Sequence, residues 1–270
     1  MAATQKRVVL VTGASSGIGR ACAELLAGRG YRVYGASRRP AASSLVESIS
    51  MDIRDDASAR DAVAGVMARE GRIDILVNSA GIAIAGAVED TSIEEARDQF
   101  DVNFHGVLRM CRAVLPGMRE QRAGCIVNIG SIGGLVAIPY QGLYSASKFA
   151  LEGLSESLRM EVSRFGVNVV LIEPGDHRTG LTANRRRTAE SGSNPAYRDR
   201  FLRAAERMAA DEQNGPEPEA VARLLLRVVK KARPRLRYAT GPVPERAVIW
   251  LKRLLPYSVI EKVMDYYYSR

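Results

Sequence analysis

Histidine and cysteine are scarce in this chain of 270 residues, with two of the first and three of the second. The cysteines (Cys22, Cys111 and Cys125) are odd in number, and none lies at a metal-ligand spacing from another. Neither a disulfide framework nor a zinc site is expected; buried thiols and no metal are. Long apolar runs are missing as well. The run at residues 4–12 turns at Gly13, far short of the roughly 20 residues that a membrane span needs, and nothing later supplies one. With no start-of-chain signal, a soluble cytoplasmic protein is expected. Low-complexity linkers and internal repeats are also absent.

What is abundant is arginine, 33 against six lysines, with a net charge of +9. The charge is localised. Residues 227–270 hold eleven Lys/Arg and three Asp/Glu, a surplus of eight, which leaves plus one for the rest of the chain. No nucleic-acid module is recognisable, and stacking aromatics do not interleave with the basic residues before the tail, so no nucleic-acid partner is expected.

At 46% hydrophobic, the chain can bury one full core. Strand-like and helix-like segments alternate. RVVLVTG reads as a buried strand, IGRACAELLAGRG as a helix closed by Gly30, and YRVYGAS as a second strand. Residues 55–70 read as a helix and RIDILVNSAG as a strand. Residues 93–120 read as one or two helices broken near Val102 and Asn103, followed by the strand GCIVNIGS. Residues 145–165 read as a long helix and VNVVLIEPG as a strand; residues 195–211 and 218–232 are helical. This order predicts an α/β fold, a Rossmann-type doubly wound parallel sheet in a single domain. The expected division is a dinucleotide-binding catalytic domain at 1–242, with a helical substrate lid at about 176–215, and a C-terminal helical extension at 243–270.

Gly13-Ala14-Ser15-Ser16-Gly17-Ile18-Gly19 joins the first strand to the first helix. Glycines here let a pyrophosphate approach the backbone, and the helix N-terminus offers unpaired N–H groups, so Gly13, Ser15, Ser16, Gly17, Ile18 and Gly19 are candidate phosphate contacts. Dinucleotide folds that take NAD place an acidic residue about 20 positions further on. This chain has none between Glu24 and Glu47; its second strand ends in Ser37-Arg38-Arg39. A guanidinium binds a 2′-phosphate that a carboxylate would repel. NADP(H) is therefore the predicted cofactor, with Arg38 the main contact and Ser37 and Arg39 helping; the alternative is a solvated arginine pair.

Tyr144 and Lys148, four apart, share a helical face. A nearby ammonium lowers a phenol's pKa from about 10, which would suit tyrosine to exchange a proton with a carbonyl or alcohol oxygen. Alone, such a pair is a common surface arrangement.

Together with the Thr12–Gly19 motif, Asn78-Ser79-Ala80-Gly81, Asn103 and Ser131, this pair resembles the short-chain dehydrogenase/reductase family, over about residues 6–180. The pattern looks like the branch holding 17β-hydroxysteroid and retinol dehydrogenases. Three residues between Tyr and Lys set aside the family's enoyl reductases, which have six, and the glycine spacing sets aside the larger epimerase type. The resemblance implies that Asn103, Ser131, Tyr144 and Lys148 are catalytic. Tyr144 would be the general acid or base, Ser131 would orient the substrate oxygen, Lys148 would hold the nicotinamide ribose, and Asn103 would support Lys148 through water. It implies cofactor contacts from Asp52, Ile53, Ala80, Gly81, Pro174, Gly175 and Thr179, with Asn78 tying strands together and Ser79 standing where the family has a second Asn. Homodimers or homotetramers through the helices after Asn103 and Tyr144 are also implied. A catalytically silent NADP-binding scaffold is the other functional class, but such proteins usually lack the Tyr or Lys kept here.

Ile132, Leu135, Val136, Ile138 and Pro139 are expected to form an apolar wall for a hydrophobic ketone, aldehyde or secondary alcohol, with Tyr140 in the pocket or a loop. In PGDHRTGLTANRRRT, His177 takes a position usually filled by Val or Ile, and Arg185, Arg186 and Arg187 are expected to be a solvated face opening the lid. The basic tail is expected to cover the pocket or pack on a neighbouring subunit; weak peripheral contact with an anionic membrane is the alternative.

Overall fold

The computed structural model describes residues 6–269; the start of the apolar run, Thr4 and Gln5, lies outside them. Strand β1 (Val8–Thr12) leads to α1 (Gly17–Gly28), β2 (Arg32–Ser37), β3 (Glu47–Ser50) and α2 (Asp56–Glu70). Then come β4 (Ile75–Asn78), a short β5 (Ile84–Ala85), α3 (Ile93–Phe100), a π-helical turn at Asp101–His105 and α4 (Gly106–Glu120). The second half runs β6 (Gly124–Ile129), α5 (Gly142–Val162), β7 (Val167–Pro174), α6 (Leu181–Asn184), β8 (Arg186–Arg187), α7 (Arg198–Asn214), α8 (Glu219–Val228), β9 (Arg237–Thr240), α9 (Val243–Leu254) and α10 (Tyr257–Ser269).

Seven strands form one parallel sheet in the order β3-β2-β1-β4-β6-β7-β9. Alternation along each strand sends side chains to opposite faces. Leu10 packs with Val63, Met110 and Leu151 on one side. Val9 and Val11 pack with Leu26 and Leu225 on the other. Helices therefore cover both faces, as an all-parallel sheet requires. All three cysteines are free and buried within these layers, and burial pushes the Cys22 thiol up to about 12.

Local signals set the helix ends. Asp55 caps α2 by accepting from the Ala57 N–H at 2.8 Å, and Gly71, at φ 70°, closes it. The break expected near Val102 and Asn103 is a widened π turn, so α3 and α4 continue as one helical rod. The short β5–β8 ladder and the edge strand β9 were not among the expected elements. Two residues each at β5 and β8, and the arginine-bearing RYAT of β9, show no apolar run to recognise, unlike the equally short but wholly apolar start of β4, and each pairs with a neighbouring strand. The chain leaves β1 for the outer strands β2 and β3, then returns to β4 on the other side of β1. That reversal opens a crevice at the strand C-terminal ends.

Candidate active site

A cavity of about 910 Å³ occupies this crevice and extends under residues 176–212 and the tail. Its floor is the glycine loop. Gly13 and Gly17 hold φ of 68° and 51°, and a Cβ on Gly19 would lie 2.4 Å from the Gly13 carbonyl oxygen. Thr12 Oγ1 accepts from the N–H groups of Ser79 (3.1 Å) and Ala80 (3.2 Å), which laces the end of β1 to the end of β4. Ser15, Ser16, Ile18, Ala80, Gly81, Pro174, Gly175 and Thr179 line the same space.

At the β2 end, Ser37, Arg38 and Arg39 line the cavity, and both arginines are exposed with no ion pair among the described residues. Asp52 and Ile53 line it too. The Arg54 guanidinium, bonded to Asp52 at 2.8 Å and 3.1 Å, holds the Asp52 carboxyl down at about 2. Asn78 is set behind the wall. Its Nδ2 donates to Asn128 Oδ1 at 2.9 Å, tying β4 to β6.

Tyr144 and Lys148 stand on the first turns of α5, opposite Ser131, which lies two residues past β6 and caps the short turn at Ile132–Gly134. Lys148 Nζ donates to the Ile129 carbonyl at 2.9 Å and lies 5.8 Å from the centroid of the Tyr144 ring. Burial lowers the Lys148 ammonium to about 8, against the opposing field of Glu152. The Tyr144 phenol is raised from its ordinary value, contrary to the shift that its spacing from Lys148 implied. Burial dominates, and a hydrogen bond with Ser131 only partly offsets it. Asn103, in the π turn, is buried outside the cavity lining. It exchanges hydrogen bonds with Ile82 (Ile82 N–H to Oδ1 2.9 Å, Nδ2 to Ile82 O 3.0 Å), and its Nδ2 also donates to Ser147 Oγ at 3.2 Å. Ser147 in turn donates to the Tyr144 carbonyl at 2.7 Å. Asn103 thus braces the segment after β4 against the turn of α5 that carries Tyr144 and Lys148.

The far end of the cavity is lined by Ile132, Val136, Ile138, Met208, Val248 and Met264. Leu135 and Pro139 do not line it. The Leu135 carbonyl instead receives Lys252 Nζ from α9. Tyr140, at φ 60°, packs edge-on against Phe201 at 5.8 Å, in a small cluster with Ala85, Ala205 and Leu202.

Sequence reasoning missed a group of carboxylates here. Asp176, Glu212 and Glu245 all line the cavity. Arg185, expected on a solvated face, is folded inward onto Glu212, with side chains 7% and 9% exposed. Arg185 sits between α6 and β8 and reaches Glu212 of α7, while Arg186 and Arg187 stay exposed, Arg186 at the cavity's edge on Asp98 (2.9 Å) and Arg187 over the Phe201 ring (5.8 Å). Among the described residues, Arg185 is the only cation ion-paired with the three acids. Burial, reinforced by Glu245 and Glu212, pushes Asp176 up to about 8. His177 is buried with Nδ1 2.9 Å from the Gly175 carbonyl, while its Nε2 has no partner; burial lowers its pKa and keeps the ring neutral. The three carboxylates come from distant stretches of chain, so no spacing in the sequence could have announced them.

A family model described as short chain dehydrogenase matches residues 7–190. The chain is 41% identical over 266 residues to the 3-ketodihydrosphingosine reductase of Bacteroides thetaiotaomicron, covering 98% of this chain and 99% of that one. A solved short-chain dehydrogenase from Streptomyces avermitilis matches at TM-score 0.81 and 36% identity, over 96% of this chain and 97% of its own. Another from Burkholderia phymatum, in complex with NAD, matches at TM-score 0.78 and 26% identity, over 97% and 96%.

Proposed function

Since the chain belongs to the short-chain dehydrogenase family, we propose that it is an NADP(H)-dependent oxidoreductase that interconverts a hydrophobic ketone and its secondary alcohol. The observation that carries this reading is one cavity holding Ser131, Tyr144 and Lys148 between the glycine loop and an apolar chamber. The fit of the nucleotide rests on this chain's residues. A Cβ on Gly19 would collide with the loop, and Arg38 and Arg39 offer unpaired guanidinium groups where a 2′-phosphate is expected. The nicotinamide, when bound, supplies or accepts the hydride. Ser131 donates to the substrate oxygen and fixes its place. Tyr144, kept protonated by burial, delivers the proton to that oxygen in reduction and takes it back in oxidation. Lys148 holds positive charge beside the phenol, and the apolar chamber excludes water.

The substrate in this reading is a long-chain amino ketone. The Bacteroides relative is named for such a compound, a ketone on a long alkyl chain with an amine and a hydroxyl nearby. The cavity here pairs apolar walls with Asp176, Glu212 and Glu245, whose crowding a substrate ammonium would relieve. The test follows oxidation of NADPH at 340 nm with 3-ketodihydrosphingosine, its N-acetyl analogue and a plain long-chain ketone. We expect kcat/KM to be at least tenfold higher for the free amine, with the preference reduced in Asp176→Asn and Glu245→Gln. Equal rates for all three would remove the amine from the proposal, and no turnover of any carbonyl would remove the enzyme reading itself. Assembly into a homodimer or homotetramer through the outer faces of α4 and α5, where Met160 is 72% exposed, belongs to the same reading and is checked by light scattering.

A further inference from the structure

The tail helix α9 has two opposed faces. At 100° per residue, Glu245, Val248 and Lys252 fall together, and they face inward. Glu245 accepts the Asp176 N–H, Val248 lines the cavity, and Lys252 reaches the Leu135 carbonyl. Val243, Ala247, Trp250 and Leu254 fall on the opposite side, and all are exposed, Trp250 by 64% and Leu254 by 78%. Leu251, 42% exposed, widens this stripe. A row of large apolar side chains on the outside of a chain is unusual unless something covers it.

Charge indicates the kind of cover. Arg246 and Arg253 flank the stripe, and Arg253 lies over the Trp250 ring at 5.4 Å. No acidic residue of α9 is on the outer face, because Glu245, its single acid, is turned inward. On α10, Lys262 is exposed with Glu261 and Asp265, and Asp265 is bonded to Arg200. The stretch 227–270 carries the surplus of eight positive charges. An apolar face with a tryptophan and flanking arginines on a helix of 12 residues is too short to span a bilayer and suits one that lies in its interface. The cavity also runs to this side of the molecule. Val263 of α10 both lines it and is 49% exposed.

We propose that α9 docks the protein on anionic lipid bilayers, with Val243, Trp250, Leu251 and Leu254 in the acyl boundary and Arg246 and Arg253 among the headgroups. The proposal concerns the surface and does not depend on which ketone is reduced.

Trp250 is the chain's only tryptophan and reports directly on this contact. The full-length protein is mixed with vesicles of phosphatidylcholine containing 30% phosphatidylglycerol, and with vesicles of phosphatidylcholine alone. Expected are co-sedimentation with the anionic vesicles that weakens at high salt, a blue shift of the Trp250 emission, and quenching by lipids brominated on their acyl chains. Val243→Glu with Leu254→Glu is expected to weaken binding at least tenfold while leaving turnover of a water-soluble ketone unchanged, since neither residue lines the cavity. Absence of quenching with anionic vesicles overturns the proposal. So does binding that is equal on uncharged vesicles, or a finding that the double variant converts a dimer into a monomer, which would assign the stripe to a second copy of the chain.

Discussion

The backbone N–H of Asp176 donates to Glu245 Oε2 at 2.9 Å, fastening the tail helix α9 to the loop that follows β7. Two carboxylates that meet in a buried place do not both ionise easily, and Asp176 is pushed up to about 8 by burial and by Glu245. An unfolded aspartate loses its proton near about 3.9. Between those values the folded chain holds a proton that the unfolded chain has released, so this group lowers stability as pH rises, and the loss is complete above about pH 8. In Asp176→Asn the penalty is gone. Its Tm relative to the parent is expected to climb between pH 4 and pH 8.5; a flat difference would show that Asp176 titrates normally.

The alkaline limb of ketone reduction should come early. Burial lowers Lys148 to about 8 and raises Tyr144. The proposed mechanism needs the ammonium charged and the phenol protonated in reduction, so kcat/KM is expected to fall above about pH 8 through loss of the lysine proton. A limb at pH 10 or beyond would contradict this. Tyr144→Phe is expected to lower turnover by at least a hundredfold with NADPH binding nearly intact, measured by fluorescence titration.

In the proposed reading, Arg38 carries the cofactor choice. The parent is expected to prefer NADPH to NADH, and Arg38→Asp to reverse the ratio of kcat/KM, because a carboxylate repels the 2′-phosphate and accepts from ribose hydroxyls. A parent enzyme that favours NADH would refute the assignment.

Two glycines of α1 should behave oppositely. A Cβ at Gly19 would lie 2.4 Å from the Gly13 oxygen, whereas one at Gly28 meets nothing within 4 Å. Gly19→Ala is expected to weaken NADPH binding at least tenfold, about 1.4 kcal/mol. Gly28→Ala should leave binding unchanged and raise Tm slightly, since alanine is the better helix former by up to about 1 kcal/mol.

Much was determined by the sequence alone, because it is local. The apolar strand runs, the helix over 55–70, the glycine loop and the four-residue step from Tyr144 to Lys148 are short-range patterns, and each specifies its own geometry. The absence of an acid between Glu24 and Glu47, on which the proposed NADP(H) preference rests, is equally local. Tertiary structure decided what depends on distant segments meeting. It turned Arg185 inward onto Glu212, gathered Asp176, Glu212 and Glu245 around one cavity, and raised rather than lowered the Tyr144 phenol. It also set one face of α9 over the site and left the other bare. Those outcomes follow from burial and from which charge lies beside which, and neither quantity exists until the chain has folded.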